Sequence, residues 1–143
     1  MHILFYCSVA IREMSEADIL DILNVSRKNN SQKNITGILV YQKKTWEFMQ
    51  ILEGEKEVIF DLLETIKDDP RHTSLDLVFD QETEERTFKN WSMAFAEFES
   101  IDKSKLLGVS DFLEKGFTSE LLKGSTANTS RLLKTFKMFI EDK

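Results

Sequence analysis

Stretches with the two-residue period of a β-strand alternate with stretches of helical period, and their order is the feature that most restricts the fold. Strands are predicted at residues 2–10, 35–41, 45–53, 74–80 and 91–98. The first helix is predicted to begin at a capping box, Ser15-Glu16-Ala17-Asp18, and to run to about Asn30, followed by a polar turn that ends at Asn34. The second is predicted over residues 55–67, with Asp68-Asp69-Pro70 ending it.

This order, β-α-β-β-α-β with one further strand, predicts an α+β fold of the ferredoxin-like sandwich type, with both helices on one face of the sheet. Residues 102–143 again have helical periodicity. We expect these C-terminal helices to pack on the free face of the sheet; whether they only cover it or also form an oligomer interface or a partner-docking surface stays open. The predicted organisation is a domain of residues 1–98 and a helical extension of residues 99–143.

Composition excludes several functional classes. The chain has 143 residues and a net charge of −6 without a Lys/Arg cluster, which argues against nucleic-acid binding. It has no apolar run long enough to span a membrane and no basic signal-peptide start, which favours a cytoplasmic location. A single cysteine, Cys7, excludes an internal disulfide, and His2 and His72 lack a metal-ligand spacing. No phosphate-binding glycine loop or Gly-x-Ser-x-Gly motif is present, so hydrolase functions have little support.

The third predicted strand carries an amide where apolar residues are expected. Phe48, Gln50 and Leu52, with Trp46 before them, fall on one face, so Gln50 interrupts an apolar surface. A buried primary amide left without partners would cost about 1–3 kcal/mol. We therefore expect another polar group to lie over this face.

Further polar side chains are predicted to point the same way. In a ferredoxin-like order the first and third strands are neighbours, so Tyr6 on the first strand can approach Gln50 across the sheet. Asn30 and Ser26 lie on the stripe of the first helix that begins with Ile19 and Leu23, and Trp91 and Met93 share one face of the last strand. Taken singly, each has an ordinary structural explanation: a half-buried core tyrosine, an edge-strand glutamine, and core Trp and Met.

Together these residues resemble a known family, the BLUF domains, which sense blue light with a bound flavin. The resemblance covers about residues 2–98, in matching order and spacing. It rests on Tyr6-x-Ser8, Ser26-Arg27-x-Asn29-Asn30, Ile35-Thr36-Gly37, Gln50-x-Leu52-Glu53-Gly54, Asp69-x-Arg71-His72 and Phe88-x-x-Trp91-Ser92-Met93. One departure is Thr65, which stands where some relatives carry Arg.

The resemblance implies a role for individual residues. It implies that FAD (with FMN as a possible substitute) binds between the helices, with Asn30 at the pyrimidine edge of the ring. Tyr6 would be the electron and proton donor to the excited flavin, Gln50 the amide that bridges Tyr6 and the flavin, and Trp91 and Met93 a pair that exchange inside and outside positions. The remaining residues implied in cofactor binding are the apolar walls Ile22, Ile35 and Ile66, with Arg27 and Asn29 near the polar tail, and His72.

The leading hypothesis from the sequence is therefore a blue-light photoreceptor, not itself an enzyme. It would signal through the last strand and the C-terminal helices to an unidentified partner, and would form a homo-oligomer. The alternative is a ferredoxin-like binding or regulatory module without photoactivity. A small hydrolase of acylphosphatase type ranks lower because the anion-binding glycine loop is missing.

Overall fold

The computed structural model describes residues 1–97, so the predictions for the C-terminal helices lie outside the described residues. The described chain forms five strands and two helices in the expected order. Their bounds are β1 His2–Ala10, α1 Glu16–Lys33, β2 Thr36–Gln42, β3 Glu47–Gly54, α2 Lys56–Lys67, β4 His72–Glu82 and β5 Ala94–Glu97.

The strands form one mixed sheet in the order β4-β1-β3-β2-β5. β1 pairs antiparallel with both β3 and β4, β2 pairs antiparallel with β3, and β5 joins the far edge parallel to β2. The expected ferredoxin-like α+β architecture with an extra strand is confirmed, and β1 and β3 are indeed the neighbours at its centre.

The first helix starts as predicted and ends later than predicted. Ser15 is the N-cap, and its hydroxyl accepts from the Asp18 backbone N–H. The Asp18 carboxylate accepts in turn from the Ser15 backbone N–H, which completes the capping box. The helix continues to Lys33, so the predicted turn at residues 29–33 was wrong. Asn34 ends the helix in the left-handed conformation (φ 57°), which Asn tolerates better than most residues, and the helix surface at residues 31–33 is exposed and can carry polar side chains.

The last strand is shorter than predicted, and this corrects the placement of two site residues. Trp91 and Met93 precede β5 instead of lying on it. The carbonyls of Ser92 and Met93 accept hydrogen bonds from side chains of α1, and the regular pairing with β2 begins at Ala94. Trp46 likewise lies in the turn before β3, with a positive φ of 62°, and is not part of the strand.

Both helices pack on the sheet face that carries Tyr6, Leu39, Phe48 and Leu52. Ile19 and Leu23 of α1 and Ile59 and Leu63 of α2 complete this core. Neither helix of the described chain is long and apolar enough to cross a membrane. Among residues 1–97 no group of acidic, His and Cys side chains is arranged to hold a metal ion.

Candidate functional site

A cavity opens between α1, α2 and the sheet. Its volume is about 170 Å³, and its mouth is open to solvent. Apolar side chains form much of the wall, from α1 (Ile22, Val25), α2 (Leu62, Ile66) and the sheet (Leu39, Phe48). The polar lining comprises Tyr6, Ser8, Ser26, Asn29, Asn30, Gln50, Thr65, Asp69, Arg71 and His72.

The polar centre of this cavity is the pair Tyr6 and Gln50. The two residues are direct cross-strand partners in β1 and β3, and both are buried. The Tyr6 hydroxyl donates to Gln50 Oε1 in a short hydrogen bond. The other end of the amide, Nε2, lies 3.4 Å from the sulfur of Met93. The amide that interrupts an apolar strand face thus has a partner at each end.

The Tyr6 hydroxyl is held in its protonated form. Burial raises the pKa of Tyr6 far above its usual value, and the neighbouring Cys7 and Asp69 add to the shift in that order. A neutral phenol can donate or accept a hydrogen bond, and in this structure it donates to Gln50 Oε1.

Asn30 joins the cavity to the segment before β5. It is 2% exposed, lines the cavity, and donates from Nδ2 to Ser92 O at 2.9 Å. A primary amide has a second N–H and a carbonyl oxygen to offer, so a ligand in the cavity can bind Asn30 without breaking the bond to Ser92. One turn earlier, Arg27 Nε donates to Met93 O at 3.0 Å.

His72 is fixed by two hydrogen bonds at the start of β4. Its Nε2 is 2.5 Å from the Ile66 carbonyl, and its Nδ1 is 2.7 Å from the Ser8 hydroxyl. The carbonyl can only accept, so Nε2 carries a hydrogen, and in the neutral ring Nδ1 accepts from Ser8. This arrangement links β1, α2 and β4 at one end of the cavity.

A charged pair lies beside His72. Arg71 donates from Nε and Nη2 to the Asp69 carboxylate, and these hydrogen bonds lower the pKa of Asp69. The same bonds raise the pKa of Arg71, with Asp21 and Asp18 contributing more weakly. Both side chains line the cavity. The lining of the cavity therefore includes one positive and one negative group that are paired with each other.

Most residues expected at the site from sequence do line the cavity, namely Tyr6, Ile22, Asn29, Asn30, Gln50, Ile66 and His72. Ile35 does not: it is 1% exposed and packs behind the cavity near Gly54. Arg27 also lies outside the lining, because its guanidinium donates a hydrogen bond to Met93 O. Met93 is buried and Trp91 is 45% exposed, so in this structure the methionine is the inner member of the pair.

Several lining residues were not among the expected site residues. Ser26 had a signal, since it shares the helical stripe of Ile19 and Asn30. Thr65 had one too, since it is three residues beyond Leu62 on the same helix. Asp69 and Arg71 were quoted in the motif Asp69-x-Arg71-His72 without a role, because the turn after α2 sets which way their side chains point.

Comparison with known proteins agrees with this geometry. The family model BLUF, described as sensors of blue light using FAD, matches residues 1–94. The photoactivated adenylate cyclase subunit beta of Euglena gracilis is 35% identical over 118 residues, which are 81% of this chain but 14% of that protein. This chain therefore spans a small part of the length of the curated cyclase that it matches.

Solved structures give the same result over nearly the whole chain. The structure of BlrB, a BLUF protein in its dark state, has a TM-score of 0.76 and 26% identity, and the match covers 96% of this chain and 95% of BlrB. BlsA in its ground state has a TM-score of 0.77 and 29% identity, covering 96% and 89%. The family description names a sensor rather than an enzyme, and by this match the chain belongs to the BLUF family of blue-light sensors that bind flavin.

Proposed function

We propose that the flavin ring lies in the cavity and that blue light rearranges the hydrogen bonds of Tyr6 and Gln50. The observation that carries this proposal is the amide of Gln50, bonded at Oε1 to the Tyr6 hydroxyl and at Nε2 to the Met93 sulfur. An amide that turns by half a revolution exchanges a donor for an acceptor at both ends. Such a group can store a signal without a net chemical change.

The residues present suit a flavin. A cofactor site typically has mainly apolar walls and a few oriented polar groups, and this cavity has both. A bound flavin supplies blue-light absorption, an electron-accepting ring and hydrogen-bond acceptors at N5 and O4. We assign Asn30 to the pyrimidine edge, Ile22 and Ile66 to the ring walls, and Asn29 and His72 to the polar part of the site.

Tyr6 and Gln50 perform the switch. Tyr6 would give up an electron and a proton, for which a bound flavin would be the acceptor, and would then regain both. While the proton is absent, the bond from Tyr6 to Oε1 is broken and the Gln50 amide can turn. Afterwards Nε2 donates to the Tyr6 oxygen, and Tyr6 is again a neutral phenol. The net result is a different hydrogen-bond pattern with the same number of protons and electrons.

Met93 is the residue through which the turn of the Gln50 amide affects the rest of the domain. A thioether sulfur is only a weak acceptor, so it is stabilised by Nε2 and not by Oε1. When the amide turns, the sulfur faces an oxygen, and the buried position of Met93 loses its donor. Exchange with the exposed Trp91 then becomes more favourable, which is a local hydrogen-bond change acting on a two-state segment.

The same proposal covers the cofactor, the domain bounds, the cellular location and the oligomeric state. We assign FAD as the cofactor, with FMN the alternative; releasing the cofactor by heat and separating it by chromatography decides between them. We also propose that residues 1–98 form the flavin-binding domain and that residues 99–143 carry the signal to a separate partner protein. A cytoplasmic location and a homo-oligomeric state complete the proposal, and cell fractionation and light scattering test them.

The decisive experiment compares absorption spectra before and after blue light. Wild-type protein is expected to carry a flavin whose bands shift to the red and recover in darkness. Tyr6→Phe and Gln50→Leu should retain the flavin and lose the reversible shift. Tyr41→Phe is the matched control, because the Tyr41 hydroxyl bonds to Met14 N outside the cavity. A normal photocycle in Tyr6→Phe or Gln50→Leu would contradict the proposed switch, and a protein that takes up no flavin would favour a regulatory module without photoactivity.

A further inference from the structure

Glu53 is a buried carboxylate that the switch itself does not use. It is 0% exposed and lies on β3, three residues after Gln50 and on the opposite face of the strand. Its Oε2 accepts from Thr87 N at 2.6 Å, and its Oε1 accepts from Phe88 N at 2.9 Å. Both oxygens therefore bind backbone N–H groups of the connection between β4 and β5, which is residues 83–93.

Thr36 and Arg86 complete this arrangement, which we call the Glu53 cluster (Thr36, Glu53 and Arg86). The Thr36 hydroxyl donates to Glu53 Oε1 at 3.0 Å and accepts from Arg86 Nη1 at 2.8 Å. Arg86 also donates to the backbone oxygens of Glu53 at 3.0 Å and Asn34 at 2.7 Å. The guanidinium thus ties the start of the connection to the ends of β2 and β3.

The other end of the same connection is held by α1 and β2. Three successive carbonyls accept bonds: Trp91 O from Gly37 N, Ser92 O from Asn30 Nδ2, and Met93 O from Arg27 Nε. Residues 87–93 are therefore fixed at both ends, by Glu53 at the first two N–H groups and by these three donors at the last three carbonyls. Between the two ends, Trp91 N donates to Phe88 O at 2.9 Å, so the segment is folded back on itself and its two ends are coupled.

We propose that Glu53 is a positioning residue for the photoswitch, which holds residues 87–93 so that the Met93 sulfur stays beside Gln50 Nε2. This inference rests on the proposed function. A carboxylate accepts at both oxygens, so it can hold the N–H groups of Thr87 and Phe88 at the same time. An amide in its place accepts at one atom only and presents a donor to the second N–H. The inner position of Met93 therefore depends on two acceptor oxygens at position 53, which an amide of the same shape does not offer.

The expected size of the effect follows from the bonds involved. A hydrogen bond to a charged group that is made in one state and lost in the other shifts the equilibrium between the states by roughly tenfold or more. Because the Glu53 bonds favour the inner position of Met93, their loss disfavours the dark arrangement relative to the lit one. Return to the dark state should then slow by up to about tenfold.

The test compares Glu53→Gln with Glu55→Gln in the full chain loaded with flavin. Glu55 is the exposed N-cap residue of α2 and makes no side-chain capping bond, so its variant is expected to recover at the wild-type rate. Glu53→Gln should keep a red shift, slow the dark recovery several-fold, and accelerate amide hydrogen exchange at Thr87 and Phe88. Recovery at the wild-type rate in Glu53→Gln would overturn the inference.

A double-mutant cycle separates positioning of Met93 from a general structural role. If Glu53 acts through Met93, Glu53→Gln should have no further effect on recovery in a Met93→Ala background. Independent, additive effects would overturn the inference. Arg86→Gln provides the same cycle if Glu53→Gln does not fold, because Arg86 is less buried and acts through Thr36. If the wild-type protein shows no reversible shift, the proposed function itself is contradicted. If the wild type shifts normally and both Glu53→Gln and Arg86→Gln recover at the wild-type rate, only the role of Glu53 is contradicted.

Discussion

Gln50 and Glu53 are two buried polar side chains on one strand, and their surroundings differ in a way that matches their chemistry. Gln50 faces a cavity and has one partner at each end of its amide, a hydroxyl donor and a sulfur acceptor. Glu53 does not line this cavity, and its two oxygens accept from the Thr36 hydroxyl and from the backbone N–H groups of Thr87 and Phe88. Turning the amide changes every bond it makes, while turning a carboxylate changes none.

The difference shows how a single strand can combine a variable element with a fixed one. A buried amide offers two bonding patterns that differ little in free energy, provided that its neighbours can accept either one. A buried carboxylate bound by backbone N–H groups has one good arrangement, and breaking it is costly. In this domain the first type faces the cavity proposed for the flavin, and the second holds the segment proposed to report the change.

The largest effect is expected from Gly37→Ala, which disturbs the sheet under both side chains. A Cβ at Gly37 would lie 1.9 Å from the backbone oxygen of Ile51, which is far inside contact distance. Relieving this clash requires β2 and β3 to separate, so we expect a loss of about 3 kcal/mol or more in the free energy of unfolding. Urea denaturation measures it.

Gly54→Ala is the matched control for that prediction. A Cβ there would lie 3.3 Å from Asn34 O and from a methyl of Ile59, a tight contact that small shifts relieve. The loss should be clearly smaller than at Gly37. Equal losses in the two variants would show that the close approach of β2 and β3 at Gly37 is not what limits this position.

The comparison of Gln50 with Glu53 predicts that substitution by Leu lowers the free energy of unfolding by different amounts at the two positions. Glu53→Leu leaves the N–H groups of Thr87 and Phe88 without an acceptor, so we expect a loss of about 3 kcal/mol or more. Gln50→Leu leaves the Tyr6 hydroxyl beside an open cavity where water can reach it, so the loss should stay within about 1 kcal/mol. Denaturation of both variants without flavin measures the difference, and the reverse order would break the distinction between a fixed and a variable site.

Gln50→Glu sharpens the same distinction spectroscopically. A carboxylate at position 50 can still accept from Tyr6, but both of its ends are acceptors, so turning it does not change the pattern. We expect flavin to bind and the light-induced red shift to be absent. Gln81→Glu on β4, where the side chain is exposed, serves as the control and should show a normal shift. A full red shift in Gln50→Glu would show that a turning amide is not required.

The smallest effect concerns the charged pair at the cavity. Arg71 lowers the pKa of Asp69, so the stability from this pair is present above the ordinary carboxyl pKa, near 4, and is lost as the pH falls through the lower folded-state value. Because both side chains are partly exposed to solvent, the contribution should be below about 1 kcal/mol. Between pH 5 and pH 2.5 the wild type should lose slightly more stability than Asp69→Asn. Parallel pH profiles would show that the pair contributes nothing.

Much of the fold followed from local signals. The strand and helix periods gave the element order, and the order gave the sheet topology in which Tyr6 and Gln50 meet. The capping box at Ser15 fixed the start of α1 because its bonds are local in sequence. The start of α1 was therefore predicted well.

The start of the last strand was mispredicted because partners distant in sequence decide it, whereas the end of α1 was mispredicted although its Asn34 cap is local. The strand expected from Trp91 begins at Ala94, because Asn30 and Arg27 of α1 take the carbonyls of Ser92 and Met93. No pattern within residues 91–98 contains that information. Glu53 shows the same limit: it was quoted within a motif, but its partners at Thr87 and Phe88 are more than thirty residues away, and only the fold brings them together.

The most direct test of the central claim is the light-minus-dark absorption spectrum of the purified wild-type protein loaded with flavin. If the Gln50 amide turns beside Tyr6 under blue light, the flavin bands should shift to the red without bleaching and return in darkness, and the shift should disappear in Gln50→Glu. A protein that binds flavin but shows no reversible shift, or a Gln50→Glu variant with a full shift, would contradict the account.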